Sequence, residues 1–291
     1  MSHFLKTQWS RFIDWFTCWL TCDIEPLNSP TRFDFNRLRA QIKPADVLLV
    51  AGKSRVSRVI TTITKSAWTH AALYIGSLND IQEMSLKEKI AAFYQGDPDE
   101  PLIVESLMGQ GVVITPLSRY QPYHIRICRP IGLPLEDAKQ VVAFTLPRLG
   151  QQYDNRQIFD LARFLLPWSI LPRRWRSSLF AYHASSSTKL TCSLLIAEAF
   201  MSIRFPILPL VRSHTIKGYE FIKRNPKLFT PKDFDYSPYF QILKYPIVEF
   251  SDDIPYTSAS WNEEELVSND EEGLYIPKKI TSPDAKDKDH D

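Results

Sequence analysis

Three side chains of this 291-residue chain have the types needed for nucleophilic chemistry: Cys192, His70 and Glu105. Cys192 follows a stretch of serines and threonines and begins an apolar run typical of a helix. Because a helix N-terminus favours negative charge, it favours the thiolate, which is the nucleophilic form of cysteine. His70 opens an apolar run typical of a strand, and a histidine at a strand end can face a cleft. The two residues are therefore a candidate nucleophile and base.

Glu105 closes the apolar run LIVE, where a carboxylate is costly to bury without a partner. It could accept the ring N–H of His70, fix the tautomer of the ring and stabilise the imidazolium, as the third member of a catalytic triad does. Each residue alone has a simpler interpretation: a buried cysteine, a hydrogen-bonded histidine and a surface glutamate at a hairpin end. The three together could also bind zinc, which needs three or four converging ligands.

Short strands and helices must position these residues. Gly109 and Gly111 give the MGQ segment the freedom of a hairpin turn, and a helix is predicted to begin near Ser54. Residues 226–245 are predicted to be a loop-rich closing segment. The hydrophobic patterns predict a turn that leads into a short buried strand over 43–50. They also predict strands over 70–76, 101–106, 111–117 and 124–130, and helices over 134–147 and 188–202.

Five short blocks contain or flank these residues in a fixed order. They are PADVLLV, WTHAALYIG, IVESLMGQGVVITPL, GQQYD and TCSLLIAEAF, and TPKDFDYSPYF further along adds a weaker echo. In this order they resemble the permuted papain-like cysteine hydrolases of the YaeF/YiiX type, relatives of NlpC/P60. The resemblance covers residues 40–205.

The resemblance implies an α+β fold with a circularly permuted papain-like (NlpC/P60-like) core. In such a core a small antiparallel sheet or open barrel packs against helices, and the histidine strand precedes the cysteine helix. It also implies that Cys192 is the nucleophile, His70 the general base and Glu105 the residue that orients His70. The expected intermediate is a thioester acyl-enzyme, and neither a cofactor nor a metal is expected.

Further residues are assigned to substrate binding by the same resemblance. Tyr153 of the GQQYD block is expected near the site, and Thr69 and Thr191 are the neighbours of the base and the nucleophile. The chain departs from the family where Thr191 replaces an aromatic residue, Leu194 a frequent glutamate and Ala45 a glycine. These departures remove no catalytic side chain but leave the substrate preference open.

The composition excludes several classes of protein. Hydrophobic residues make up 44% and charged residues 23% of the chain, as in globular proteins. The sequence has no apolar run of the roughly 18–20 residues that a membrane span needs and no glycine-rich nucleotide loop. Arg11 and Asp14 interrupt the apolar N-terminus, which is not typical of a signal peptide. The four scattered cysteines favour a reducing compartment, so a cytoplasmic location is expected, with peripheral contact at the membrane surface.

Charge is distributed unevenly along the chain. Residues 251–291 contain 12 acidic residues and 4 lysines, a net charge of −8, and the rest of the chain carries +10. A basic body predicts an anionic partner such as a membrane surface, although solvated surface charge is an equal alternative. Basic charge is the only feature that favours nucleic-acid binding, and the sequence contains no recognised nucleic-acid-binding module. Nucleic acid is therefore not expected as a partner.

Three domains are predicted: an N-terminal amphipathic helical segment (1–38), a hydrolase domain (39–250) and an acidic, largely disordered tail (251–291). The aromatic N-terminal helix suits either a membrane interface or packing on the domain. A helical insertion at about 157–187 combines tryptophans with arginines. It suits an apolar lid or membrane-touching surface, or else a buried helical hairpin.

The expected activity is that of a cysteine-dependent hydrolase. An amide bond in a peptide or an amidated lipid is the leading substrate, and an ester comes next, with release of the acyl group to water, an amine or another lipid. The alternative is a catalytically weak or inactive protein on the same fold that binds a membrane surface.

Overall fold

The computed structural model describes residues 15, 18–24, 33–81, 83–151, 191–214, 218–251, 253–260, 267–269 and 273–275. The chain divides into two compact units, Met1–Pro246 and Ile247–Asp291. The second unit contains a short antiparallel strand pair, and the first contains all the elements discussed below. The domain boundaries predicted from the sequence stay predictions.

An open antiparallel sheet forms the centre of the first unit. Six strands lie in the order β4-β3-β2-β1-β5-β8, and β6 and β7 pair separately as a hairpin. The strands are β1 (Val47–Ala51), β2 (His70–Gly76), β3 (Leu102–Leu107), β4 (Gly111–Pro116), β5 (His124–Pro130), β6 (Leu210–His214), β7 (Gly218–Ile222) and β8 (Phe240–Leu243), with β9 (Val267–Asn269) and β10 (Gly273–Tyr275) in the second unit.

Six helices whose bounds lie within the described residues accompany the sheet, together with short 3-10 turns at Leu117–Tyr120, Leu146–Arg148 and Pro226–Leu228. Ser54 caps one of them, as its serine side chain accepts the Ser57 N–H. The helices are α1 (Phe35–Gln41), α2 (Arg55–Thr64), α3 (Met84–Ala91), α4 (Leu135–Thr145), α5 (Thr191–Ser202) and α6 (Pro231–Tyr236).

The sheet has a different core on each face. One core joins Ala71 and Leu73 of β2 to Leu195 and Phe200 of α5, and α4 also packs there. The other core joins the alternate strand positions, such as Ala72, to α1 and to the 3-10 turn before β5. Since successive side chains of a strand point to opposite faces, each strand serves both cores. The nucleophile's helix and the α1 helix therefore lie on opposite faces.

The predicted α+β class with a small antiparallel sheet is confirmed, and the sheet is open. The strands predicted at 70–76 and 124–130 have the predicted bounds. Gly109 and Gly111 adopt positive φ values of 78° at the β3–β4 hairpin, where a glycine has no steric penalty. In the part of the chain that the structure describes, no helix is long and apolar enough to cross a membrane.

The predicted loop-rich segment at 226–245 is wrong in two places. Helix α6 begins with a capping box, in which Thr230 and Asp233 exchange hydrogen bonds, and Pro231 occupies its first turn. Strand β8 then pairs with β5 at the edge of the sheet. The predicted insertion at about 157–187 lies outside the described residues.

Candidate active site

His70 and Glu105 meet on one face of the sheet. His70 opens β2, Ala72 pairs with Glu105 of β3, and His70 lies two residues from Ala72 on the same face. This makes His70 and Glu105 a diagonal pair, a spacing that long side chains can bridge. The His70 Nε2 lies 2.6 Å from Glu105 Oε2, and the glutamate side chain has no exposed surface. The Glu105 carboxylate therefore has a defined position, and its hydrogen bond orients the His70 ring.

Cys192 approaches the same histidine from the other layer. It is the second residue of α5, and only 4% of its surface is exposed. Its thiol and the His70 ring interact through a side-chain hydrogen bond and through charge, and each group shifts the pKa of the other. Because Nε2 is engaged with Glu105, Nδ1 is the ring nitrogen that remains for the thiol. As the first residue of its strand, His70 stands at the sheet's end, where groups from both layers can meet.

The local charges favour a thiolate–imidazolium pair. Burial alone would raise the pKa of Cys192, but the neighbouring His70 and the Ala71 N–H hold it below its ordinary value. Burial alone would lower the pKa of His70, but Cys192 and Glu105 together raise it to about 10. Burial opposes ionisation of Glu105 too, yet its bond to His70 keeps the pKa of this carboxyl below its usual range. These directions favour the proton on His70 at neutral pH.

Tyr120 is a member of the site that the sequence analysis missed. Its hydroxyl donates to Glu105 Oε2 at 2.5 Å, and its ring stacks on His70 with centroids 6.1 Å apart. The same carboxylate oxygen thus accepts from both His70 and Tyr120. The sequence shows only that a tyrosine follows the TPL block, and nothing in the sequence predicts its contact with Glu105. These contacts predict that Tyr120 acts through Glu105, as a positioning residue.

The N-terminal segment reaches the edge of this network. Tyr123 packs on Tyr120 with ring centroids 5.6 Å apart and donates its hydroxyl to Asp23. Asp23 also forms an isolated antiparallel bridge with Ser54. The described residues 18–24 are therefore tied to the body of the first unit at Ser54 and Tyr123, next to Tyr120.

Thr69 is used inside the protein. It is buried, and its hydroxyl accepts the N–H of Gly52 at 2.9 Å. A Cβ on Gly52 would come within 2.9 Å of that hydroxyl and 2.3 Å of the Ser57 hydroxyl, so no larger residue fits here without rearrangement. The contact holds the chain just before His70 against the end of β1. A role for Thr69 in substrate binding stays a prediction.

A second anchor lies one residue earlier. The Trp68 indole donates to Asp235 at 3.2 Å, and Arg126 pairs with the same carboxylate at 2.6 Å. The Arg126 guanidinium also lies over the indole ring, 4.7 Å from its centroid. Asp235 belongs to the TPKDFDYSPYF block, so this block contacts the residues that lead into the histidine strand.

The remaining predicted residues are only partly described. Tyr153 lies outside the described residues. The backbone of Thr191 begins α5, but its side chain is not among those described. Within the described ranges, no group of three or more His, Cys, Asp or Glu side chains has a geometry that could hold a metal ion.

Comparisons with known proteins agree with the resemblance drawn from the sequence. Residues 41–161 match the family described as permuted papain-like amidase enzyme, YaeF/YiiX, C92 family. This confirms the YaeF/YiiX-type assignment over a segment that contains His70 and Glu105 and ends before Cys192. At the coarse level it supports an amidase-type hydrolase.

A solved structure is also similar to the chain. It is described as metalloprotein yiiX (DUF1105) from Escherichia coli O157:H7, with a TM-score of 0.41 and 14% sequence identity, covering 70% of this chain and 98% of that chain. No curated protein matches.

Proposed function

We propose that this chain, whose residues 41–161 match the YaeF/YiiX family of permuted papain-like amidases, hydrolyses an amide bond through a thioester on Cys192. One observation carries the proposal: His70 interacts both with a buried carboxylate, 2.6 Å from its Nε2, and with the thiol of Cys192, the second residue of α5. The raised pKa of His70 and the lowered pKa of Cys192 support a preformed thiolate–imidazolium pair.

Acylation begins with attack of the Cys192 thiolate on the carbonyl carbon of the amide. The C–N bond breaks as the His70 imidazolium donates its proton to the leaving amine nitrogen. The products are a free amine, a thioester on Cys192 and a neutral His70. Glu105 stays ionised, stabilises the imidazolium before this step and keeps the ring in place.

Deacylation returns the site to its starting state. Neutral His70 takes a proton from water as the water oxygen attacks the thioester carbonyl. The C–S bond breaks, a carboxylic acid leaves and the thiolate is restored beside the imidazolium. An amine or an alcohol in place of water would make the same step an acyl transfer.

The start of α5 supplies groups for the developing oxyanion. The first four N–H groups of a helix have no partner within the helix, and the N–H of Cys192 is one of them. Such a donor, held close to the attacked carbonyl, stabilises the oxyanion without reorganisation during the reaction. Each such donor contributes a rate factor of about 10²–10³ in well-studied hydrolases.

We propose a peptide or an amidated lipid as the substrate class, with an ester as the second choice. The amide preference follows from the family description over residues 41–161. An acyl-lipid substrate, peripheral contact with an anionic membrane and a cytoplasmic location stay predictions from the sequence.

Thiol labelling tests the proposal before any substrate is known. With Cys18, Cys22 and Cys128 replaced by alanine, iodoacetamide labels Cys192 alone, and its rate is followed from pH 5 to 9. We expect fast labelling at pH 6, slowed by His70→Ala, because removal of the imidazolium leaves a buried thiol whose pKa is no longer held below the ordinary value near 8.5.

Labelling that follows an ordinary thiol in the unmodified site, and that neither His70→Ala nor Glu105→Ala alters, would overturn the triad. That result would favour the alternative, a membrane-surface binding protein on this fold. If labelling supports the triad, turnover of amide and ester substrates is compared between the wild type and Cys192→Ala. Equal turnover by the wild type and Cys192→Ala would exclude the thioester route.

A further inference from the structure

A cavity lies at the far end of the nucleophile's helix. Its volume is about 250 Å³, and it opens between the C-terminus of α5, the segment that follows it and strand β7. Met201 on its wall is nine residues beyond Cys192, which is about 14 Å along the helix at 1.5 Å per residue. The proposed triad uses nothing at this end.

The interior of the cavity is apolar. Ile207 and Phe229 are buried at its floor, and Met201, Phe205 and Leu208 are half-buried along its walls. Phe205 is held by Phe200 and Phe240, with ring centroids 5.3 Å away in each case. The walls are therefore part of the packed core and are preformed. An apolar chain fits such a lining, since its burial removes apolar surface from water.

The rim of the cavity is cationic. Arg204, Lys223 and Arg224 line it, and none of its described lining residues is acidic. Arg224 is partly neutralised by Asp233 at 3.1 Å, and Lys223 lies 3.4 Å from the Met201 carbonyl. The exposed Arg204 guanidinium has no ion-pair partner among the described residues, so its charge is available to a ligand.

Arg204 also occupies an unfavourable backbone position. It follows the end of α5 with a φ of 62°, in the left-handed region that glycine or asparagine adopts at helix C-termini. A glycine would close the helix at lower cost. The arginine instead brings a planar guanidinium with five donors to the cavity rim, and this group binds carboxylate or phosphate through paired hydrogen bonds.

From this lining and rim we infer that the cavity binds a single-chain amphiphile with an anionic headgroup. Its apolar chain lies against Phe205, Ile207 and Phe229, and its carboxylate or phosphate pairs with Arg204 and Lys223. The volume lies below the roughly 300–1,000 Å³ of drug-sized sites, so the cavity accepts one short chain and no bulky ring system. The inference is independent of the triad.

Calorimetric titration of the full-length protein tests this site with four probes at concentrations where each is monomeric. Decanoate and decyl phosphate distinguish the two headgroups, decyltrimethylammonium tests the sign of the charge, and acetate tests the need for a chain. We expect decanoate or decyl phosphate to bind at least about tenfold more tightly than the cationic probe. Binding of the cationic probe as tightly as both anions would overturn the inference, and so would the absence of saturable binding of either anion.

Variants separate this site from the triad and from folding defects. Arg204→Gln with Lys223→Gln should weaken decanoate or decyl phosphate binding about tenfold and leave Cys192 labelling unchanged. Cys192→Ala should bind as the wild type does, and loss of binding in this variant would move the ligand to the active site and overturn the inference. Arg204→Gly should weaken binding while raising the melting temperature, because it relieves the left-handed backbone. Unchanged binding in both Arg204 variants would also contradict the inference.

Discussion

A single carboxylate oxygen organises the candidate triad. Glu105 Oε2 accepts from both His70 and Tyr120 and has no exposed surface, so its charge acts on the histidine without screening by water. The first prediction at the residue scale concerns this charge. Glu105→Gln keeps the shape of the side chain but should lower kcat/KM for the amide substrate by roughly 10²–10⁴-fold.

The pH profile of Glu105→Gln distinguishes the loss of the carboxylate charge from a local disruption of the structure. Activity of the wild type needs the Cys192 thiolate and the His70 imidazolium, so it should fall on the alkaline side as His70 loses its proton near pH 10. In Glu105→Gln the pKa of His70 falls, and this alkaline limb should move to lower pH. The exposed Glu136 provides the matched control, Glu136→Gln, which should leave the profile unchanged. An unmoved limb in Glu105→Gln would show that Glu105 does not tune His70.

Tyr120→Phe is the second prediction at this scale. The variant removes the donor to Glu105 Oε2 and keeps the ring stacked on His70. One lost bond to a buried carboxylate corresponds to about 1.5–3 kcal/mol, or roughly tenfold to a hundredfold. We expect kcat to fall by about that factor, with KM nearly unchanged and slower Cys192 labelling at pH 6.

Tyr123→Phe is the control for Tyr120→Phe. Tyr123 packs on Tyr120, but its hydroxyl donates to Asp23. It should therefore leave kcat and labelling close to wild type. A Tyr120→Phe variant that loses only thermal stability, with kcat intact, would make Tyr120 a packing residue and not a positioning residue.

The sequence predicted some of these residues and not others, for physical reasons. Cys192, His70 and Glu105 each stand at the end of an apolar run, a place where burial of a polar side chain requires an explanation. Tyr120 lies on a short 3-10 turn, and its contact arises only when that turn folds over β3. Nothing local in the sequence encodes such a contact.

At the scale of elements, one buried ion pair joins β1 to β5. Asp46 precedes β1, is 1% exposed and accepts three hydrogen bonds from the Arg129 guanidinium, the shortest at 2.6 Å. The same carboxylate accepts the Lys43 N–H at 2.8 Å, which shapes the turn before the strand. The PADVLLV block therefore carries a structural acid and not a catalytic one.

The third prediction follows from this pair. Asp46→Ala leaves the partly buried Arg129 without its partner, so the free energy of unfolding of the first unit should fall by about 3 kcal/mol, measured by urea denaturation. Lys139→Ala breaks an exposed ion pair with Glu136 and should change the free energy of unfolding by less than about 0.5 kcal/mol. Equal effects of the two variants would mean that the Asp46 pair does not hold the strands together.

Elements with strong patterns were predicted well. The apolar runs of β2 and β5 predicted strands with the observed bounds. Strand β8 was missed because it has four residues and gains its stability only by pairing with β5. Helix α6 was missed although its start signal was present, since Thr230 with Asp233 three residues later is the pattern of a capping box.

At the scale of the whole molecule, the division of charge is the remaining feature with a measurable consequence. Residues 1–250 carry +10 and residues 251–291 carry −8, so removal of the tail raises the net charge from +2 to +10. A cationic protein is attracted to an anionic membrane by roughly 1 kcal/mol for each basic residue near the surface. We therefore predict that the acidic tail offsets part of the attraction between the basic residues and an anionic membrane.

The fourth prediction tests this charge balance. Deletion of residues 251–291 should increase binding to vesicles that contain phosphatidylserine, and the gain should shrink when salt rises from 0.05 to 0.5 M because the Debye length falls. Vesicles of phosphatidylcholine alone should bind neither form. Binding is measured by co-sedimentation at fixed lipid.

A full-length variant separates charge from length. Replacing Asp284, Asp287, Asp289 and Asp291 by asparagine raises the net charge from +2 to +6 and keeps every residue position. If charge governs binding, this variant should lie between the wild type and the deletion. Binding equal to the wild type for both variants would mean that the basic surface is solvated charge with no membrane role. Strong binding by the deletion alone would mean that the tail acts by its bulk, because the asparagine variant differs from the wild type only in charge.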